Sequence, residues 1–287
     1  MNTKELLKKV RKIEIKTRRL SDAVFGGEYH SAFKGRGMTF SEVRQYQYGD
    51  DVRNIDWNVT ARYNEPFIKV FEEERELTLM LVADVSGSTL FGTQEQLKKE
   101  IITEICATLA FSALQNNDKV GLLLFSDQVE LFVPPKKGKF HILRIIRELL
   151  EYKPASKTTD IGGALEFLGG VLKKKAIVFV MSDFINTGYQ RSLQIIGRKH
   201  DVTGIRVYDQ REASMPSMGL VQFMDQESGQ TRMINTSASS VRRKYSAYHK
   251  ESAAYFKNAF TRSDAGAIDL ETRDNYTTKL LGYFKTR

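Results

Sequence analysis

The run Leu77-Thr78-Leu79-Met80-Leu81-Val82-Ala83 is almost wholly apolar and stops abruptly at Asp84-Val85-Ser86-Gly87-Ser88. An apolar run of this kind, bounded by turn residues, predicts a strand buried on both faces, as in a parallel sheet. In an open parallel sheet, ligands gather beyond the carboxyl ends of the strands, near the switch point. Asp84, Ser86 and Ser88 fall at that place. A second apolar run, 176–181, ends in Ser182-Asp183. Two buried strands that bring carboxylates to one sheet edge suggest a cation site. Between them, Thr158-Thr159-Asp160-Ile161-Gly162-Gly163-Ala164-Leu165 reads as a polar loop opening a helix.

The rest of the chain alternates strand and helix signals around these two runs. Helical spacing is expected over 94–115, where Leu97, Ile101, Ile105 and Leu109 share a face, and again over 140–152, 161–172 and 189–199. Strands are expected over 119–125 and 202–208. Residues 129–133 alternate and should return as an antiparallel edge, stopped by Pro134-Pro135. Residues 220–224 and 231–234 flank a polar turn and predict a hairpin outside the βα alternation. A long helix over 237–261, a short strand over 267–270 and a helix over 275–285 close the chain. These elements predict an α/β fold with a mostly parallel six-stranded sheet in the order 3-2-1-4-5-6. Strand 3 should be antiparallel, with helices on both faces.

Residues before this body differ in character. Residues 2–20 read as a basic amphipathic helix with Leu6, Val10, Ile13 and Leu20 on its stripe. Such a helix can dock on the domain, or meet a membrane surface or a partner. Gly26-Gly27 marks a loop. In the stretch Arg44 to Arg62, Gly49-Asp50-Asp51 is turn chemistry, and Asp50 or Asp51 can cap a short helix. The single tryptophan, Trp57, is expected to anchor packing. The interleaved acids and arginines point to a structural ion-pair network. Residues 66–71 should be extended and lie outside the main sheet.

Composition narrows the class. Charged residues are 28% and hydrophobic residues 41%, values of an ordinary folded domain rather than a disordered chain. No apolar run approaches the ~20 residues that span a bilayer, and the basic N-terminus lacks a signal-peptide core. A cytoplasmic protein is therefore expected. The one cysteine, Cys106, lies in a helical apolar run and suits a reducing compartment. The net charge of +9 permits weak contact with nucleic acid or anionic lipid without establishing either.

Asp84-x-Ser86-x-Ser88, then Thr159 ahead of Ala164-Leu165, then Asp183 after an apolar strand, resembles the metal-ion-dependent adhesion site of von Willebrand factor A domains. Arg44-x-Tyr46-x-x-Gly49-Asp50-Asp51-x-Arg53-x-Ile55-Asp56-Trp57-x-x-Thr60-Ala61-Arg62 ahead of such a domain resembles the bacterial family called domain of unknown function 58. The resemblance implies an accessory region over 1–76 and an A-type domain over 77–287, with the hairpin inserted near 218–235. It implies that Ser86, Ser88 and Thr159 bind a divalent ion directly, and that Asp84 and Asp183 hold it mainly through water. Members are often encoded beside MoxR-type AAA+ ATPases, which makes such an ATPase or its target the expected partner.

Hydroxyls and carboxylates are hard donors, suited to Mg²⁺ first and also to Mn²⁺ or Ca²⁺. Neutral direct donors leave the ion much of its charge and one position for a partner's carboxylate. The expected function is thus a binding module, not an enzyme. The alternatives are a Mg²⁺- or Mn²⁺-dependent phosphohydrolase and a basic nucleic-acid or membrane-surface binder. The haloacid-dehalogenase pattern needs an acid where Ser86 stands, and no Walker A, Gly-x-Ser-x-Gly or His-Glu-x-x-His motif occurs.

Overall fold

The computed structural model describes residues 10, 11, 13, 14, 38–73, 76–90, 97–224 and 230–286. Strand β1 (Met38–Gln45) pairs antiparallel with β2 (Phe67–Glu73) in a ribbon separate from the main sheet. Between them lie a 3-10 turn, Val52–Asn54, and helix α1 (Trp57–Tyr63). Asp51 caps the first and Asp56 the second, each accepting from backbone N–H groups just ahead of it. Arg44 makes a two-pronged contact with Asp50 at 2.8 and 2.9 Å, Arg53 pairs with Asp51, and Lys69 approaches Asp56. The interleaved charges therefore form the structural network expected.

Trp57 does not anchor packing: it is 70% exposed, and α1 buries no residue. The cause is local. A seven-residue helix held by its Asp56 cap and its left-handed Asn64 terminus needs no core beneath it. Ile68 is the buried apolar side chain of this unit among the described residues.

The main sheet contains β3 (Thr78–Asp84), β4 (Lys119–Phe125), β5 (Val129–Lys136), β6 (Ile177–Ser182), β7 (Asp201–Tyr208) and β10 (Gly266–Glu271). Their order is β10-β7-β6-β3-β4-β5, parallel except for β5. This is the expected 3-2-1-4-5-6 arrangement, counted from β3. Alternation along β3 explains why its run is apolar throughout. Leu79, Leu81 and Ala83 enter one core with helices α2 (Lys98–Gln115), α3 (Lys139–Glu151) and α8 (Tyr276–Thr286). Met80 and Val82 enter the other, with α4 (Ile161–Val171), α5 (Gln190–Gly197) and α7 (Ser239–Arg262). Gly204 on β7 permits close approach of α7: a Cβ there would lie 2.4 Å from Phe260 Cζ. A short helix, α6 (Gln210–Ala213), follows β7, and the hairpin of β8 (Leu220–Met224) and β9 (Thr231–Asn235) forms where expected.

Pro134-Pro135 does not stop β5, which continues to Lys136. An edge strand tolerates proline because one row of its N–H groups has no ladder partner to lose. Of the N-terminal amphipathic stretch, Val10 and Ile13 pack against the first core and Glu14 pairs with Lys139 at 2.6 Å, so these positions dock on the body. The remainder of 2–20, Gly26-Gly27 and the start of the expected 94–115 helix lie outside the described residues. Among the described residues no helix is long and apolar enough to cross a membrane.

Cys106 is fully buried on α2, with its thiol against Met181 Sδ, and burial pushes its pKa far up. The thiolate is the reactive form. Cys106 is therefore expected to resist a thiol reagent such as Ellman's in the native protein and to react fully in denaturant. Stoichiometric reaction within seconds under native conditions would contradict this burial.

Candidate metal centre

The carboxyl ends of β3 and β6 adjoin in the sheet, so Asp84 and Asp183 meet at one edge. Both are buried, at 2% and 5% exposure. Asp84 is held on both oxygens: Oδ1 accepts from Ser86 N at 2.8 Å, and Oδ2 accepts from Ser182 Oγ at 2.6 Å. Ser182 Oγ in turn accepts from Phe184 N. The Asp84–Ser86 contact turns the chain sharply after β3, and Thr89 closes the following turn through Ser86 O. That turn directs the Ser86 and Ser88 hydroxyls toward one another, at 3.2 Å.

The loop 153–160 brings in Thr159. Glu130 organises it by accepting from Ala155 N and Ser156 N, from Tyr152 Oη and from Ser126 Oγ. Thr158 Oγ1 donates to Asp127. Gly87 N donates to Lys157 O, and Asn186 Nδ2 donates to Thr159 O. The Thr159 loop is thereby joined to both the Ser86 turn and the segment after Asp183. Asp160 caps α4 through Gly163 N, and a Cβ on Gly163 would lie 2.6 Å from Asp160 Oδ2. Thr159 Oγ1 is buried and has no hydrogen-bond partner among the described residues.

Sequence reasoning missed Lys98. This first residue of α2 is 1% exposed, and its Nζ lies 3.1 Å from Asp183 Oδ2 and 2.6 Å from Glu212 Oε1. Glu212 is on α6, where its other oxygen accepts from Asp209 N in a capping box. Burial pulls the Lys98 pKa down, but the Asp183 and Glu212 carboxylates outweigh it and raise the pKa overall. Burial pushes Asp183 up, but Lys98 and then Ser88 hold it below the usual range. Asp84 has no such cation. Burial, and then the charge of Asp183, push its pKa up to about 6.

The donor set fits a hard divalent cation. Each carboxylate already has hydrogen-bond partners, the Ser86 and Ser88 hydroxyls face one another, and the Thr159 hydroxyl on the tied loop has no partner among the described residues. A buried unpaired hydroxyl is costly, and a buried charge at Asp84 is costlier. A cation held by Ser86, Ser88 and Thr159, with Asp84 and Asp183 behind, would relieve both. The fold thus brings Asp84, Ser86, Ser88 and Asp183 together and ties the Thr159 loop to their turns, and it adds Ser182, Lys98 and Glu212 behind them. The Asp209-x-x-Glu212 spacing was legible as a capping box. Lys98 had a weaker signal, a cation at a helix start, where the dipole disfavours it.

A family model described as "Protein of unknown function DUF58" matches residues 42–255. Uncharacterized protein Rv1480 of Mycobacterium tuberculosis H37Rv is 30% identical over 226 residues, covering 78% of this chain and 71% of that protein. Uncharacterized protein YeaD of Bacillus subtilis strain 168 is 27% identical over 140 residues, covering 47% and 31% respectively. Among solved structures, an aerotolerance-related membrane protein of Bacteroides fragilis NCTC 9343 superposes with a TM-score of 0.49 at 14% identity, covering 74% of this chain and 100% of that one. The SpRpn10 VWA domain gives 0.38 at 9% identity, covering 72% and 94%. At these scores the architecture rests on the chain's own sheet order.

Proposed function

The chain belongs to the family described as Protein of unknown function DUF58, and from that premise we propose that it is a metal-ion-dependent protein-binding module. The reading rests on the buried, unpartnered Thr159 hydroxyl, on a loop tied to the paired hydroxyls of Ser86 and Ser88. Ser86, Ser88 and Thr159 would hold the ion, with Mg²⁺ the first choice for such oxygen donors. Asp84 and Asp183 would orient it. Bound there, the ion supplies positive charge at the sheet edge, which favours an added carboxylate over an added neutral group. The chain's own part would be to fix the hydroxyls and, through Lys98 and Ser88, to keep Asp183 ionised. The family resemblance supports a MoxR-type AAA+ ATPase, or its target, as the protein that brings the carboxylate.

Calorimetric titration with Mg²⁺ tests the ion, and pull-down with the ATPase, with and without chelator, tests the partner. Ser86→Ala is expected to weaken Mg²⁺ binding by at least about tenfold, since it deletes a direct donor worth ~1.4 kcal/mol or more. The sheet should stay folded, because Ser86 contributes no apolar burial. Capture of the ATPase should fall in step. Failure of Mg²⁺, Mn²⁺ and Ca²⁺ alike to bind the unaltered chain would sink the proposal.

A further inference from the structure

A lysine at the first position of a helix opposes the macrodipole, and a buried ammonium is destabilising unless paired. Lys98 has both disadvantages at once. Its neighbours supply the reason for it: Asp183 Oδ2 at 3.1 Å on one side and Glu212 Oε1 at 2.6 Å on the other. Asp84, Asp183 and Glu212 against Lys98 leave the cluster two net negative charges, the number a divalent cation neutralises. Without Lys98 there would be three.

Resting on the metal-binding reading above, we propose that Lys98 is a tethered counter-cation. It sets how tightly the site holds a divalent ion, and through Glu212 it ties that affinity to the position of α6. The ammonium shares Asp183 with the site, so it opposes a second cation there by charge alone. Glu212 draws part of that positive charge away. Glu212 also closes the capping box of α6, which follows β7 and precedes the β8–β9 hairpin along the chain. A displacement of α6 therefore changes the charge that Lys98 presents to the site. This makes the ion's affinity adjustable from a surface that does not touch the ion.

Mg²⁺ titrations by calorimetry at pH 8, on the unaltered chain, Lys98→Met, Glu212→Gln and Ser86→Ala, test this, with folding followed by circular dichroism. Removing one unit charge at such separations should change divalent affinity by roughly tenfold or more. Lys98→Met is therefore expected to tighten Mg²⁺ binding by that factor and Glu212→Gln to weaken it, in opposite directions. A purely structural ion pair would weaken binding in both variants or change it in neither, and either result overturns the inference. Should Lys98→Met fail to fold, Lys98→Gln takes its place, and unchanged or weaker binding by it overturns the inference. Glu212→Gln keeps an oxygen for the Asp209 N–H, and unchanged or tighter binding there overturns the inference too. Binding that Ser86→Ala abolishes but the two charge variants leave unmoved refutes the role of Lys98 alone. No binding by the unaltered chain refutes this inference together with the proposed function.

Discussion

Phe184→Ala is expected to lower stability by about 3–5 kcal/mol, the range for truncating a fully buried phenylalanine. The ring is wholly buried on the second core. It packs tilted against Phe256 at 4.6 Å and meets Phe260 and Tyr189 at 5.4 and 5.7 Å between centroids. Alanine relieves nothing in exchange, because the backbone at this position is left-handed, φ +51°, and alanine is strained there too. The effect should reach the candidate metal centre. Phe184 follows Asp183 directly, and its N–H donates to Ser182 Oγ, the group that donates to Asp84. A looser Phe184 thus loosens both carboxylates. Urea denaturation should show the loss, with the melting temperature lower by more than about 6 °C, and Mg²⁺ titration should show weakened binding. A loss below about 1 kcal/mol would mean that the aromatic cluster does not fix this turn.

Acidification from pH 8 to pH 5 is expected to strengthen the ion-free fold through Asp84 and to weaken Mg²⁺ binding, while burial holds His200 and His249 below their usual range and opposes the gain. The Asp84 carboxyl has its pKa pushed from 3.8 up to about 6 by burial and by Asp183. Between those values the folded chain binds a proton that the unfolded chain does not. Stability therefore rises as pH falls through about 6 and levels off below the unfolded value. The gain is about 3 kcal/mol at most. Asp118 on the far side of the sheet is also pushed up to about 6, mainly by burial, and adds a term of the same sign. Asp183, held low, acts in the opposite sense: its stability is present above its unfolded value and is lost only as pH falls through its lower folded value. A bound divalent ion needs Asp84 ionised, so the same proton competes with the ion. Melting curves at pH 8 and pH 5, with and without Mg²⁺, for the unaltered chain and Asp84→Asn, separate these contributions. Asp118, His200 and His249 contribute equally in both proteins, whereas the Asp84 contribution disappears from the variant. Equal pH slopes in the two proteins would remove Asp84 as the source.

The main sheet was legible because its signals are local and redundant. Leu77–Ala83 and 176–181 must be buried on both faces, and only a central parallel pair offers that. Their terminal acids then had to share an edge, which placed Asp84 beside Asp183 before any contact was known. Lys98 was hidden because its partners are 85 and 114 residues away and no pattern in α2 announces them. Trp57 misled for the opposite reason. A lone tryptophan suggests a core, but here caps and charge pairs hold a short helix without one. Pro134-Pro135 misled because the rule that proline ends strands fails at a sheet margin, and the margin is a property of topology rather than of sequence.

Those two prolines have a further consequence. β5 is the last strand on its side of the six-stranded sheet among the described residues. A free margin is a template on which another chain can continue the hydrogen-bond ladder. Neither Pro134 nor Pro135 has an N–H to offer, and the irregular register with β4 interrupts the spacing that an incoming strand would have to match. The strongly apolar core strands therefore end, on that side, in a border that Pro134 and Pro135 make a poor template for polymerisation.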